Sequence, residues 1–312
     1  MSAEDSGTEG AGAAPAVPTC YRHPDRETYV SCTRCERNIC PDCMREAAVG
    51  HQCPDCVAEG NRGLRAPRTV LGGKAVSAPY ATWTFLALMV LGYVAQLVDE
   101  AVSGGMLTGA LAMNPWRVIV QGDWYLLITA AFLHGGVLHL AFNGFALYVV
   151  GRQLEDWLGH LRFTVLWLLS AVGGSVLSMA VAVAGAVAAP TPADIPVQLS
   201  VGASGAIFGL FGAVLLVGRR LRLDTRFILG LLAVNLLITF LVPGISWTAH
   251  IGGLATGLVL GAGFAYLPRR EGASRTAAHI AVAVAWAVVL AAVAVASAVI
   301  GTDALMQQMT AA

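Results

Sequence analysis

Long apolar runs separated by short polar connections fill the chain from residue 80 to residue 300. A helix that crosses the hydrocarbon layer needs about 17–25 predominantly apolar residues. Runs of roughly this kind predict seven membrane-spanning helices, near 80–98, 125–150, 161–187, 203–218, 226–242, 246–267 and 277–300. We therefore expect an all-α, multi-pass membrane protein.

The residues before the first span lack such runs and divide into three parts. Residues 1–19 are rich in glycine and alanine without apolar periodicity, which predicts a disordered tail. Residues 20–56 hold every cysteine of the chain and predict a metal-binding module, and residues 57–78 predict a linker. The tail has neither the basic region nor the apolar stretch of a secretory signal, so export of the N-terminus by that route is not expected.

Composition agrees with a membrane location and argues against an ordinary soluble enzyme. Hydrophobic residues make up 56% of the chain and charged residues only 12%, and the mean hydropathy is +0.67. Soluble domains are about 25% charged. The formal net charge is zero, so bulk electrostatics give no sign of a nucleic-acid partner, and none is predicted.

Arginine placement predicts the orientation in the membrane, because cytoplasmic loops carry an excess of basic residues. With a cytoplasmic N-terminus, Arg117 falls in an outside segment, whereas nine arginines fall in inside loops. The nine are Arg152, Arg162, Arg219, Arg220, Arg222, Arg226, Arg269, Arg270 and Arg275. The distribution predicts a plasma-membrane protein with a cytoplasmic N-terminus and an extracellular C-terminus.

Ser204 stands at the predicted start of the fourth span, in the sequence Gly-Ala-Ser-Gly. The flanking glycines allow other backbone to come close, and the positive end of a helix favours negative charge on a bound oxyanion. A serine nucleophile is one interpretation. Small residues with serine are also a common helix-packing device, so the motif alone leaves both interpretations open.

His250 lies inside the sixth span and needs a polar partner there. A neutral imidazole is the usual general base for a serine nucleophile. Gly253, Gly257 and Gly261 share its helical face and predict close packing against the helix that follows Ser204. The alternative is a packing histidine bonded to a backbone carbonyl.

His139 and Asn143 share one face of the second span, because they are four residues apart. Both can donate hydrogen bonds to a developing oxyanion. A polar clasp between helices, without chemistry, is the alternative. His134, five residues before His139, is compatible with either a solvated or a catalytic role.

The Gly-Ala-Ser-Gly motif at Ser204, the Ala-His-Ile-Gly-Gly motif at His250 and the His139 to Asn143 pair together resemble the rhomboid family of intramembrane serine proteases. The resemblance covers roughly residues 80–267. It implies a six-helix catalytic core over 79–267, followed by an extra transmembrane helix and tail over 268–312.

The resemblance also implies the site roles. Ser204 would be the nucleophile and His250 the general base, while Asn143, His139 and the Ser204 N–H would donate to the oxyanion. No cofactor is implied for catalysis. Substrates would be transmembrane segments within the lipid bilayer, cut near the outer face where the helix can unwind, because a closed helix offers no accessible carbonyl.

Two positions depart from the family pattern. Leu126 follows Trp124-Tyr125, where the family often has arginine after an aromatic pair. The family commonly has tyrosine beneath the histidine, and the matching position here is Phe208. The first departure concerns the loop before the second span, and the second keeps an aromatic face while it loses a hydroxyl.

The cysteines and His23 form four couples whose members are separated by two intervening residues, a spacing that lets two ligands bind one tetrahedral zinc ion. The ligand candidates are Cys20, His23, Cys32, Cys35, Cys40, Cys43, Cys53 and Cys56. Eight ligands predict two structural Zn²⁺ ions, and pairing the first couple with the third and the second with the fourth resembles B-box-type zinc fingers. His51 is a substitute candidate for one cysteine, and a disulfide framework or a redox thiol set are the alternatives.

Other functions fit the sequence less well. A catalytically inactive rhomboid-like adaptor that binds transmembrane helices is the main alternative. A transporter is disfavoured because no inverted repeat or intramembrane carboxylate pair is visible, and a seven-helix receptor gives the serine and histidine motifs no role. The zinc module could bind a protein partner that the sequence does not identify.

Overall fold

A computed structural model describes residues 17–64, 67–189, 199–267 and 273–311, together with Thr191, Ala193 and Ile195. The chain divides into two compact units, Met1–Ala66 and Pro67–Ala312. Most of the predicted tail, residues 1–16, lies outside the described residues, as do Arg269 and Arg270.

The first unit is a small module built from two short antiparallel ribbons and one helix. Its elements are β1 (Thr19–Cys20), β2 (His23–Glu27), a 3₁₀ turn (Pro41–Cys43), β3 (Arg45–Glu46), β4 (His51–Gln52) and α1 (Pro54–Asn61). β1 pairs with β2, and β3 with β4. Thr19 belongs to β1. Pro54, at the first helical position, starts a helix that continues to Asn61, among the residues predicted as linker.

The second unit is helical. Its helices are α2 (Tyr80–Ser103), α3 (Met106–Leu111), α4 (Pro115–Gln121), α5 (Leu126–Thr129), α6 (Val137–Ala146), α7 (Arg152–Leu158), α8 (His160–Ala188), α9 (Ser204–Arg220), α10 (Arg226–Leu241), α11 (Trp247–Tyr266) and α12 (Ala273–Ala311). A 3₁₀ turn (Ala130–Phe132) follows α5, and a π-helical turn (Leu147–Gly151) joins α6 to α7 without a break. Each of the seven predicted spans coincides with helix, and the all-α prediction is confirmed.

The predicted single helix over 125–150 is wrong in one respect, because the structure breaks it. Leu126–Phe132 and Val137–Leu158 meet at an angle of 97°. Gly135 and Gly136 lie in the break, and Gly136 has an extended backbone that helix cannot adopt (φ 161°, ψ 167°). The hydropathy of the run gives no sign of this break, although two consecutive glycines commonly interrupt a helix.

Among the described residues, four helices are long and apolar enough to cross a membrane, and the bent pair makes a fifth if it counts as one span. The four are α2, α8, α11 and α12. Helices α9 and α10 have 17 and 16 residues. The chain is therefore a multi-pass membrane protein, in which the predicted seven crossings require these two short helices to span as well.

Small residues form the contact between α9 and α11. A methyl group added at Gly253 would clash with the Gly205 carbonyl, and one added at Gly257 would clash with the Gly209 carbonyl. One turn further, Gly261 lies against Ala213. The two backbones can approach this closely only because side chains are absent, as in other small-residue interfaces between membrane helices.

Glu155 links α7 to the start of α2. Its carboxylate is fully buried and accepts bonds from the backbone N–H of Ala81 (2.8 Å) and from the backbone N–H and the hydroxyl of Thr82 (2.8 and 2.6 Å). His160 Nδ1 lies 2.5 Å from Glu155 Oε1, the oxygen that also accepts from the Ala81 N–H. A carboxylate at a helix N-terminus satisfies otherwise unpaired N–H groups and interacts favourably with the helix dipole.

Candidate active site and metal centres

Ser204 begins α9, with unpaired backbone donors around it. No side chain caps this end of the helix, and within the described part of the chain no hydrogen bond is made by the N–H groups of Ser204, Gly205 and Ala206. The first N–H group after these that has a backbone partner is that of Ile207, which donates to the Ala203 carbonyl at 3.0 Å. The start of α9 therefore offers several N–H groups and a positive helix end to an anion.

His250 lies in the first turns of α11, and its side chain faces α9. The residue is 7% exposed. Its ring stacks on Phe208 with 4.1 Å between centroids and 13° between planes. Phe208 lies one turn after Ser204 on the same face of α9. The imidazole of His250 therefore contacts the face of α9 on which Ser204 lies.

The two ring nitrogens of His250 have different surroundings. Nδ1 lies 2.6 Å from Thr239 Oγ1 in α10, whereas no described residue bonds to Nε2. The described structure contains no hydrogen bond between Ser204 and His250. Catalytic hydrogen bonds are often long in substrate-free enzymes and shorten when substrate binds.

His139 and Asn143 lie close to the segment that leads into Ser204. A methyl group added at Gly202 would lie 2.7 Å from His139 Nε2. His139 Nδ1 accepts a bond from the N–H of Gly135 (3.3 Å), so a neutral ring carries its proton on Nε2, on the side of Gly202. Asn143 is 6% exposed, and its amide donates one bond to the His139 carbonyl (2.9 Å).

His134 packs behind His139 with its ring edge-on, at 5.2 Å between centroids. It is buried, and neither of its ring nitrogens has a partner in the described part of the chain. Its backbone N–H donates to Gln96 Oε1 at 2.8 Å. Sequence reasoning missed Gln96, although a glutamine inside an apolar span is a visible signal.

Comparison with known proteins shows which family this chain resembles. A family model of the rhomboid domain matches residues 121–267. Rhomboid protease GluP of Bacillus subtilis (strain 168) is 35% identical over 184 residues, which are 57% of this chain and 34% of the relative. RHOMBOID-like protein 6, mitochondrial, of Arabidopsis thaliana is 37% identical over 155 residues, 47% of this chain and 46% of the relative.

A further Bacillus subtilis relative is covered over most of its own length. Putative rhomboid protease YdcA is 33% identical over 150 residues, which are 46% of this chain and 68% of that protein. The chain belongs to the rhomboid family. It spans only about a third to a half of the length of the first two relatives named above.

This rhomboid has the expected fold class, a helical membrane core with the extra C-terminal helix α12 and a preceding cysteine module. The structure shows the surroundings of Leu126, the position that departs from the family pattern. Leu126 is fully buried in a small apolar cluster. Arg117, in α4, binds two residues of the loop just before Leu126. Arg117 bonds to Asp123 Oδ2 at 2.5 Å and to the Tyr125 hydroxyl at 3.1 Å.

Two groups of four ligands come together in the cysteine module. The first consists of Cys20, His23, Cys40 and Cys43, and the second of Cys32, Cys35, Cys53 and Cys56. Within each group all ligand atoms lie within 4.8 Å of one another. The first couple meets the third and the second meets the fourth, while His51 belongs to neither group and sits in β4.

The distances fit tetrahedral zinc. Zn–S and Zn–N bond lengths of about 2.3 and 2.0–2.1 Å in a tetrahedron require sulfur atoms about 3.8 Å apart and a nitrogen about 3.5 Å from sulfur. Cys35 and Cys53 sulfurs are 3.7 Å apart. His23 Nδ1 lies 3.8, 3.2 and 3.4 Å from the sulfurs of Cys20, Cys40 and Cys43.

The surroundings of one cysteine in each group, Cys20 and Cys32, favour the thiolate form that binds metal, whereas burial raises the pKa of Cys43 and Cys56. Burial alone would raise the pKa of the Cys20 thiol, but nearby backbone N–H groups, first that of Cys40, lower it to about 6. Burial opposes ionisation of Cys32 too, and backbone N–H groups, first that of Cys53, lower its pKa to about 6. In the second group, Arg37 Nε donates to the Cys35 sulfur at 3.3 Å, so a cation offsets the charge of four thiolates.

Proposed function

We propose that this rhomboid is an intramembrane serine endopeptidase with Ser204 as nucleophile and His250 as general base. The observation that carries the proposal is the stack of His250 on Phe208. It brings the only described imidazole of α11 onto the face of α9 that begins with Ser204. Close contact between Gly205 and Gly253 supports the same arrangement.

The residues at this site supply each step of peptide hydrolysis. Ser204 Oγ attacks the carbonyl carbon of the scissile bond while its proton passes to His250 Nε2. The oxyanion that forms accepts hydrogen bonds from the N–H groups at the start of α9, from His139 Nε2 and from Asn143. His250 then gives the proton to the leaving amine, and water hydrolyses the acyl-serine by the reverse sequence of proton transfers.

The substrate class follows from backbone chemistry. In a closed helix every carbonyl is hydrogen-bonded, and lipid offers no replacement partner. A transmembrane segment must therefore unwind before Ser204 can reach it. We propose cleavage of transmembrane substrates at small or helix-weakening residues near the end of the membrane where α9 begins.

The charges at the ends of α9 support an orientation with this site on the outer side. Arg219 and Arg220 end the helix that Ser204 begins, and basic residues favour the cytoplasmic side. We propose a plasma-membrane location with a cytoplasmic N-terminus. The cysteines of the module would then meet a reducing compartment, which favours two structural Zn²⁺ ions over disulfides.

A transmembrane reporter tests the enzymatic proposal. The full chain in proteoliposomes should cleave the reporter, and Ser204→Ala and His250→Ala should each abolish cleavage. Ser297→Ala is the matched control, because it removes a buried serine from α12 and should leave cleavage unchanged. Equal cleavage by the wild type and by Ser204→Ala would overturn the proposal, and reporter binding without cleavage by the wild type would favour the inactive adaptor.

A further inference from the structure

Among the described residues, Thr239 is the only side chain that hydrogen-bonds to the His250 ring. Its Oγ1 lies 2.6 Å from His250 Nδ1, and the residue is 3% exposed. α10 otherwise buries only Leu232, and neighbours such as Phe240 and Leu241 are more than 60% exposed. A polar residue is thus buried on a helix that has little buried surface.

The direction of the hydrogen bonds at Thr239 can be assigned. The Thr239 hydroxyl also lies 2.7 Å from the Asn235 carbonyl, which can only accept, so the hydroxyl proton is directed there. Oγ1 is then left with lone pairs, and the contact with Nδ1 requires a proton on that nitrogen. Neutral His250 therefore carries its proton on Nδ1 and has the lone pair on Nε2.

A threonine that bonds back to the carbonyl four residues earlier is common in helices. The Asn235 bond alone would carry no functional meaning. This common pattern does not account for the second contact, in which Thr239 Oγ1 hydrogen-bonds to the imidazole of His250 in α11. The stack on Phe208 fixes the plane of the ring, and the Thr239 bond fixes its rotation within that plane.

The geometry points to Thr239 as a positioning residue that, through the Asn235 carbonyl, holds His250 in the tautomer able to accept a proton at Nε2. This inference rests on the proposed function. A base must present a lone pair to the nucleophile, and the tautomer is set by the hydrogen bond that the other ring nitrogen makes. After Nε2 takes the proton from Ser204, Thr239 Oγ1 still accepts from Nδ1–H and stabilises the cation.

Three variants of the full chain separate this role from simple packing. Thr239→Val keeps the shape and removes the oxygen, so kcat should fall by about 10- to 100-fold, the order of loss for a misplaced reacting group, with little change in KM. Thr239→Ser keeps the oxygen and should restore kcat to within about threefold of the wild type. Thr256→Val is the matched control, because it removes another buried threonine hydroxyl, bonded to Trp286 Nε1 at 3.1 Å, and should keep kcat.

A spectroscopic readout keeps the inference testable even without turnover. Nitrogen-15 NMR of labelled histidine, with His250 assigned by comparison with His250→Ala, should report the Nδ1–H tautomer in the wild type and in Thr239→Ser. In Thr239→Val the ring should become a mixture of tautomers. An unchanged tautomer and an unchanged kcat in Thr239→Val would overturn the inference, whereas an Nδ1–H tautomer in an inactive wild type would overturn only the proposed protease.

Discussion

The cysteine module and the membrane core are held together by opposite means. In the module, Ile39 is the one fully buried apolar residue besides the cysteines among the described positions, and the eight ligand residues stand where a core would be. In the membrane core, α9 and α11 touch through glycines, and large apolar side chains pack around that contact. We propose that the module depends on bound metal ions, whereas the contact between α9 and α11 depends on the absence of side chains.

The difference has a physical origin. A domain of about 40 residues cannot bury enough apolar surface to be stable without disulfides, metals or partners. Inside lipid, apolar burial gives no comparable driving force, and close packing and hydrogen bonds take its place. We therefore expect the module to unfold when metal is removed, and the membrane core to lose stability when side chains are inserted at the glycine contact.

Loss of metal should give the largest effect, and only in the module. Structural zinc sites contribute about 10–16 kcal/mol of apparent binding energy that is also folding energy. The native chain should contain close to two zinc ions, His23→Ala should remove one, and His51→Ala should remove none. Elemental analysis of the purified full chain measures the content.

Proteolysis gives an independent check on the module. After chelation, trypsin should cut rapidly at Arg34 and Arg37 while the bond after Arg162 in α8 stays intact. A module that resists trypsin without metal, or native protein without zinc, would contradict the assignment.

Glycine packing should control the stability of the membrane core. Gly257→Ala inserts a methyl group against the Gly209 carbonyl and should lower the free energy of unfolding by about 1–3 kcal/mol, as overpacking generally does. Gly230→Ala is the matched change, since no atom of the described residues lies within 4 Å of the added methyl group. Thermal unfolding in one detergent compares them, and equal transition temperatures would show that the α9–α11 contact is not tightly packed.

Loss of the buried carboxylate of Glu155 should lower the free energy of unfolding by a similar or smaller amount. Glu155→Gln replaces one acceptor oxygen by a donor that faces N–H groups of Ala81 and Thr82, so we expect a loss of about 1–3 kcal/mol. Asp156→Asn is the control, because Asp156 is exposed next to it. A stability loss for Glu155→Gln no greater than that for Asp156→Asn would show that the link between α7 and α2 is unimportant.

The sequence predicted the helices and the ligand couples well, because both signals are local. Apolar length marks each helix, and a two-residue spacing marks each pair of ligands. The bend at Gly135 and Gly136 was missed because hydropathy does not detect backbone breaks within an apolar run. The contact of Thr239 with His250 was also missed, since pairing of distant polar residues depends on how α10 and α11 cross, although a threonine four residues after Asn235 in an apolar span is a usable signal.

The most direct test of the central claim is the position of a covalent adduct. A fluorophosphonate should react with the folded full chain at Ser204 Oγ, and peptide mass spectrometry should find the modification on that residue. His250→Ala should lose the adduct although Ser204 is still present. A folded wild type with no adduct, or with the adduct on a different serine, would contradict the account.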